Sequence, residues 1–156
     1  MSVPVDLIND QAIQYIAAVT HGEMRNQPEE AKLHVISSIV NRLGKGEWRG
    51  LDLKGLSDKY YYAVRDSKSG KNTGFSEAIS GKFRNKSDES DFKKTLMLTS
   101  AVIKGHRQPY DTQFYFNTKE DARQKKAGRK VFDYSKVKSV GDFDAGGSRF
   151  TAYAYK

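Results

Sequence analysis

The apolar residues of this chain change their spacing once, near His106, and that change limits the fold more than any other feature. Before it they recur at about 3.6 residues, the period of a helix buried on one face. After it they fall in short aromatic-rich runs of the kind found in strands. A chain so divided reads as α+β: mainly helical, with a small antiparallel β region in the C-terminal third.

The first predicted helix runs from about Asn9 or Asp10 to Gly22, with Ile13, Ile16, Ala17 and Thr20 on one face and an Asn or Asp to cap it. The second starts near Gln27. Pro28 suits its first turn, Glu29 and Glu30 complement the dipole, Val35, Ile36, Ile39, Val40 and Leu43 form the buried stripe, and Gly44 ends it. Leu51 to Val64 reads as one or two short helices in which Tyr60, Tyr61 and Tyr62 divide between core and surface. Ser67 to Gly74 reads as a polar loop. A third long helix is predicted over about Asp91 to Lys104, with Phe92, Leu96, Thr99, Val102 and Ile103 on its buried face. Gln113–Asn117, Lys130–Tyr134 and Phe150–Tyr155 read as strands, and Thr118–Lys130, with six basic and two acidic residues, as a solvated loop or short helix.

Composition narrows the function. A chain of 156 residues with 9 Tyr, 8 Phe and 1 Trp has the length and apolar content for one packed domain, spanning residues 1–156. Cysteine is absent, which excludes disulfides, thiolate metal sites and a cysteine nucleophile. The balance of 27 Lys and Arg against 19 Asp and Glu gives a net charge of +8, and all of the excess lies beyond residue 30, where the net charge is +12. Such a surface attracts anionic polymers: nucleic acid, teichoic acid, lipopolysaccharide or acidic peptidoglycan stems. No run approaches the roughly 18 apolar residues of a membrane span. Met1 to Asp10 lacks a basic segment followed by an apolar one, so synthesis in a bacterial cytoplasm without a signal peptide is expected.

His21, His34 and His106 share no metal-ligand spacing, and no metal or cofactor is expected; nucleotide-cradling and serine-elbow motifs are also missing. One acid stands out. Glu23, in Thr20-His21-Gly22-Glu23-Met24-Arg25-Asn26, follows the first predicted helix and precedes the second. A carboxyl between two helices that must pack together is partly desolvated, which raises its pKa toward that of a general acid. The plainer reading is that Glu23 pairs with Arg25 or caps the second helix.

Ala18 to Leu43 resembles the opening of the SleB-type cell wall hydrolases, with Glu23 on the first Glu of that family's motif, Arg25 on its Arg and Asn41-Arg42 on its Asn-Arg pair. Gly74-Phe75-Ser76-Glu77-Ala78-Ile79-Ser80-Gly81, Gln113-Phe114-Tyr115-Phe116-Asn117 and Lys136-Val137-Lys138-Ser139-Val140-Gly141 followed by Phe150 are similar to later segments of the family, in the same order. Gln27 and Pro28 replace the usual Gly-Glu, Gly74 stands where Gln is common, Thr118 where Pro is usual, and Asp142–Arg149 looks like an insertion in the last hairpin.

The resemblance implies a lysozyme-like fold related to lytic transglycosylases, and cleavage of the β-1,4 bond between N-acetylmuramic acid and N-acetylglucosamine with Glu23 as catalytic acid. Phe75, Ser76, Tyr115, Phe116, Asn117 and Arg25 would contact the glycan by stacking and hydrogen bonding. Asn41 and Arg42 would be structural, a network at a helix end that positions the Glu23 loop. Glu77, in an extended segment, would share the side of Phe75 or lie on the surface. With no paired acid evident, a lytic transglycosylase is favoured over a hydrolytic muramidase. The basic surface would hold the enzyme on anionic wall polymers, in a bacterial or phage context where a holin or the virion gives access to the wall. Two other readings fit parts of the sequence: a basic nucleic-acid-binding domain, though no recognised binding motif supports it, and a virion structural protein that keeps the fold without the activity.

Overall fold

In the computed structural model, which describes residues 3–70, 73–128 and 133–156, one helix is buried over every residue from Ala31 to Arg42. This is α2 (Glu29–Arg42). The other helices of this part are α1 (Asp10–Met24), α3 (Leu53–Tyr60), α4 (Tyr62–Lys68), α5 (Thr73–Ser80) and α6 (Lys86–Ile103), of which α1 and α6 pack most closely on α2. A three-stranded antiparallel sheet follows, from β1 (Phe114–Asn117), β2 (Val137–Ala145) and β3 (Ser148–Tyr155) in the order β1-β3-β2, with α7 (Thr118–Lys126) between β1 and β2. The chain is therefore α+β and mainly helical. Among the described residues no helix is long and apolar enough to cross a membrane.

Asn9 caps α1, its side chain accepting the Ala12 N–H at 2.8 Å, and Ile13, Ile16, Ala17 and Thr20 are buried as their spacing requires. The helix does not stop at Gly22. It continues to Met24, and the left-handed residue that ends it is Asn26, with φ 62°. Asparagine tolerates that conformation, and its N–H is taken up by Asp91 at 2.9 Å. Gly22 serves packing instead. A Cβ there would lie 2.6 Å from that of Ala63 and 3.1 Å from that of Phe75.

Two helices extend where a loop or coil is expected. α5 occupies residues read as loop and extended chain, and Gly81 ends it with φ 72°. Its eight residues are too few to show a helical period, and packing against α1 fixes them. α6 begins at Lys86, well before Asp91, because Asn85 accepts the Asp88 N–H at 2.8 Å and Asp88 and Glu89 complement the dipole. That first turn is polar, so apolar spacing cannot reveal it.

β1 and β3 match the predicted strands closely. Of the predicted strand Lys130–Tyr134, residues 130–132 lie outside the described residues, and Tyr134 opens a short 3-10 turn. The segment Asp142–Arg149 is the closed end of the β2–β3 hairpin: Asp142 pairs with Thr151 and Ala145 with Ser148, and Gly146 and Gly147 form a two-residue turn with φ 57° and 76°. One face of the sheet (Tyr115, Phe143, Phe150, Ala152) packs on the helices. The other (Phe114, Phe116, Val137, Tyr153, Tyr155) forms a second cluster with Trp48 and Tyr134.

The segment that leads into β1 is bound to α2 by polar groups. His34, Ser37, Asn41 and Arg42 form a stripe on that helix. His34 Nδ1 lies 2.7 Å from Thr112 Oγ1, and Ser37 Oγ accepts the Tyr110 N–H at 2.9 Å. Asn41 donates to the carbonyls of Tyr110 and Thr112, each at 2.8 Å, and Arg42 Nε to that of Gln113 at 2.6 Å. The His34 ring is stacked on Phe143, with centroids 4.3 Å apart, and faces Tyr110 at 4.4 Å. Burial lowers its pKa to about 4. The fold thus holds His34 neutral, while the unfolded chain protonates it near pH 6.5. Stability from this residue is complete above pH 6.5 and is lost as pH falls toward 4, by on the order of 2–3 kcal/mol. Urea unfolding midpoints between pH 7 and 4.5 should fall more steeply in the wild type than in His34→Gln; equal slopes would contradict this.

Candidate active site

Glu23 sits in the last turn of α1, not in a loop after it. Its Oε1 accepts the Tyr115 O–H at 3.2 Å, and its Oε2 accepts the Ala63 N–H, in the first turn of α4, at 3.3 Å. Helix α1, helix α4 and strand β1 thus meet on one carboxyl group. Burial pushes its pKa up, the hydrogen bonds from Tyr115 and Ala63 and the charge of Arg65 pull it down, and Asp66 pushes it up again; the net direction is upward. Tyr115, buried beside a carboxyl, stays protonated well above the usual tyrosine range and so remains a donor.

The residues on either side of Glu23 face the other way. His21 and Arg25, two positions before and after it, lie about 200° around the helix. Behind α1 they enter a buried ionic cluster. His21 Nδ1 lies 3.5 Å from Asp91 and Nε2 3.8 Å from Glu77, whereas Arg25 lies 3.5 Å from Glu77 and 3.9 Å from Asp88. Arg84 reaches Glu77 at 3.1 Å and Asp88 at 2.8 Å, and Lys32 pairs with Asp91. The hydrogen bond from Asn26 and the hydrogen bond and charge of Arg84 hold the Asp88 carboxyl below its usual range. Burial lowers the His21 pKa, so this imidazole is biased toward the neutral form despite the acids around it.

Of the residues expected to bind a glycan, Tyr115 donates a hydrogen bond to Glu23. Phe75 is half-buried on α5, edge-on to Tyr15 at 5.7 Å, with its Cβ close to Gly22; it supports the turn that carries Glu23. Ser76 is exposed on α5. Phe116 faces the opposite side of the sheet, against Tyr153, as alternation along a strand demands. Asn117 shares the face of Tyr115, but its carboxamide oxygen caps α7 by accepting the Glu120 N–H at 3.1 Å. Arg25 is bound in the ionic cluster. Asn41 and Arg42 are structural, but they anchor the segment before β1 and so position Tyr115 rather than a Glu23 loop. Glu77 is buried in that same cluster, not on the side of Phe75, because residues two apart on a helix point in nearly opposite directions.

The sequence reading missed the α4 contribution: the Ala63 N–H and the charges of Arg65 and Asp66. A backbone donor leaves no signature in a sequence. A groove of about 1000 Å³ lies elsewhere, between the start of α2 and α6, lined by residues that include Gln27, Lys32, Asp91, Met97 and Arg107; Glu23 is not part of its lining. Among the described residues no three His, Asp or Glu side chains gather as metal ligands. No protein-family model, curated protein or solved structure matches the chain.

Gly22 provides a direct check on this geometry. In an open helix, Gly→Ala gains about 1 kcal/mol. Here the new Cβ would meet Ala63 and Phe75, and Gly22→Ala should destabilise the protein by about 1–3 kcal/mol through overpacking. A thermal midpoint equal to or above that of the wild type would contradict the close approach of α4 and α5.

Proposed function

We propose that this protein cleaves the glycan strand of peptidoglycan, as its resemblance to the SleB-type cell wall hydrolases suggests, and that Glu23 is its catalytic acid. The single observation that supports this best is the setting of Glu23: a carboxyl raised by burial, yet gripped by a tyrosine hydroxyl and a backbone N–H. A glycosidase needs an acid that carries its proton near neutral pH and is held in a fixed orientation.

In the transglycosylase reading, protonated Glu23 donates its proton to the oxygen between N-acetylmuramic acid and N-acetylglucosamine. The C1–O bond breaks with the electron pair leaving on that oxygen, and the 2-acetamido group of the muramic sugar stabilises the oxocarbenium-like carbon. The Glu23 carboxylate, stabilised by Tyr115 and Ala63, then takes the proton of the C6 hydroxyl as O6 closes on C1. A 1,6-anhydro ring results and the acid is restored. In the alternative reading the enzyme is a hydrolytic muramidase, in which a second carboxylate activates water. In either case the net charge of +8 would hold the protein on anionic wall polymers, an attraction that salt weakens.

Glu23→Gln should reduce clearing of purified cell walls by ~10²–10⁴-fold while leaving the circular dichroism spectrum and thermal midpoint near wild type. Normal clearing by that variant would refute the assignment. Mass spectrometry of wild-type products separates the two chemistries: anhydro-muropeptides mean transglycosylation, reducing ends mean hydrolysis.

A further inference from the structure

The three consecutive tyrosines at 60–62 divide sharply. Tyr61 is 2% exposed and Tyr60 half-buried, whereas Tyr62 is 68% exposed. Tyr62 is also the residue next to Ala63, whose N–H holds Glu23. The guanidinium of Arg65 lies over that ring, 4.4 Å from its centroid. Arg65 is exposed and forms no ion pair with a carboxylate among the described residues.

The contrast with the other stacked arginines is informative. Arg42 is buried among Tyr60, Tyr61 and Phe114 and is bound to Gln113. Arg49 lies over Trp48 but donates to the Tyr155 hydroxyl at 3.0 Å. Those two guanidinium groups are engaged by the fold. Arg65 presents a planar set of donors to solvent, held by an exposed ring, two residues along α4 from the donor that touches Glu23, and its charge acts on the Glu23 carboxyl.

From this juxtaposition we infer that Tyr62 and Arg65 form a subsite for a carboxylate-bearing sugar, resting on the reading of Glu23 as a glycan-cleaving acid. A tyrosine face stacks on a pyranose ring, and a guanidinium takes a carboxylate through two parallel hydrogen bonds. Arginine suits this better than lysine, because its donors are planar and matched to two oxygens. Muramic sugars carry such a carboxylate, either on the lactyl group itself or on the peptide attached to it, and N-acetylglucosamine carries none. The subsite would therefore set the register of the strand, placing a muramic residue beside Glu23. Asp66, the next residue, supplies the opposing charge that would disfavour a carboxylate displaced toward it.

The test is binding of three probes to the full-length wild-type chain, followed by calorimetry or NMR: chitobiose, N-acetylglucosaminyl-N-acetylmuramic acid, and that disaccharide bearing its tripeptide. None contains the bond to be cleaved. At least one acidic probe should bind roughly tenfold more tightly than chitobiose, and Arg65→Gln should remove that preference. Tyr62→Ala should weaken all the probes that bind. Tighter binding of the lactyl disaccharide identifies the lactyl carboxylate, and a gain only with the peptide identifies the stem. Equal affinities for all three, or a preference that survives Arg65→Gln, would overturn the subsite while leaving the glycosidase reading intact. If none of the three binds, both fall. Both side chains are exposed, so the variants should keep the wild-type thermal midpoint.

Discussion

The polar stripe on α2 is the constraint on which the rest depends. A buried helix must find partners for the polar groups it carries, and His34 Nδ1, Ser37 Oγ, Asn41 Nδ2 and Arg42 Nε find theirs in residues 110–113. Each neutral bond contributes only about 1 kcal/mol net, but a buried partner left without one costs about 1–3 kcal/mol. The stripe therefore specifies more than it stabilises: a shifted 110–113 segment would leave several buried groups unpaired. That requirement fixes where β1 starts, and β1 carries Tyr115 to Glu23.

The last turn of α1 is held from two sides. Behind it, Arg25 is tied by charge to acids on α5 and α6, with the His21 ring packed beside the same group; in front, Glu23 meets α4 and β1. Gly22 lets α4 and α5 approach between them. This arrangement bears on the chemistry of Glu23 in three ways. Burial disfavours its anion, as does the negative end of the α1 dipole. The two donors reward the anion once formed. A group with these opposed influences can release a proton and take it back, which a single acid acting twice must do.

Much of this fold was legible in the sequence because it rests on periodicity. The stripes of α1 and α2, the buried face of α6 and the aromatic runs of β1 and β3 are each signalled by spacing. The rest depends on tertiary contacts. α5 is short and forms against α1, the first turn of α6 is polar and depends on its cap, and charged residues dilute the pattern of β2. The site divides in the same way. Glu23 stood out by its place between two helices, but nothing in the chain pairs it with Tyr115, 92 positions away, or with the N–H of Ala63. Phe116 and Asn117 lay in the same suggestive run as Tyr115, yet alternation turns one away and helix capping occupies the other. Glu77 passed for a surface carboxylate because an extended reading of its segment hid the helix that buries it.

The proton affinity of Glu23 decides whether this arrangement can act as an acid. Its carboxyl carbon can be titrated directly by ¹³C NMR in the wild type and in Tyr115→Phe. The account requires a wild-type midpoint above the ordinary glutamate value of about 4.3, rising further when the tyrosine hydroxyl is removed. A midpoint at or below that value, or no response to the loss of the hydroxyl, would contradict it.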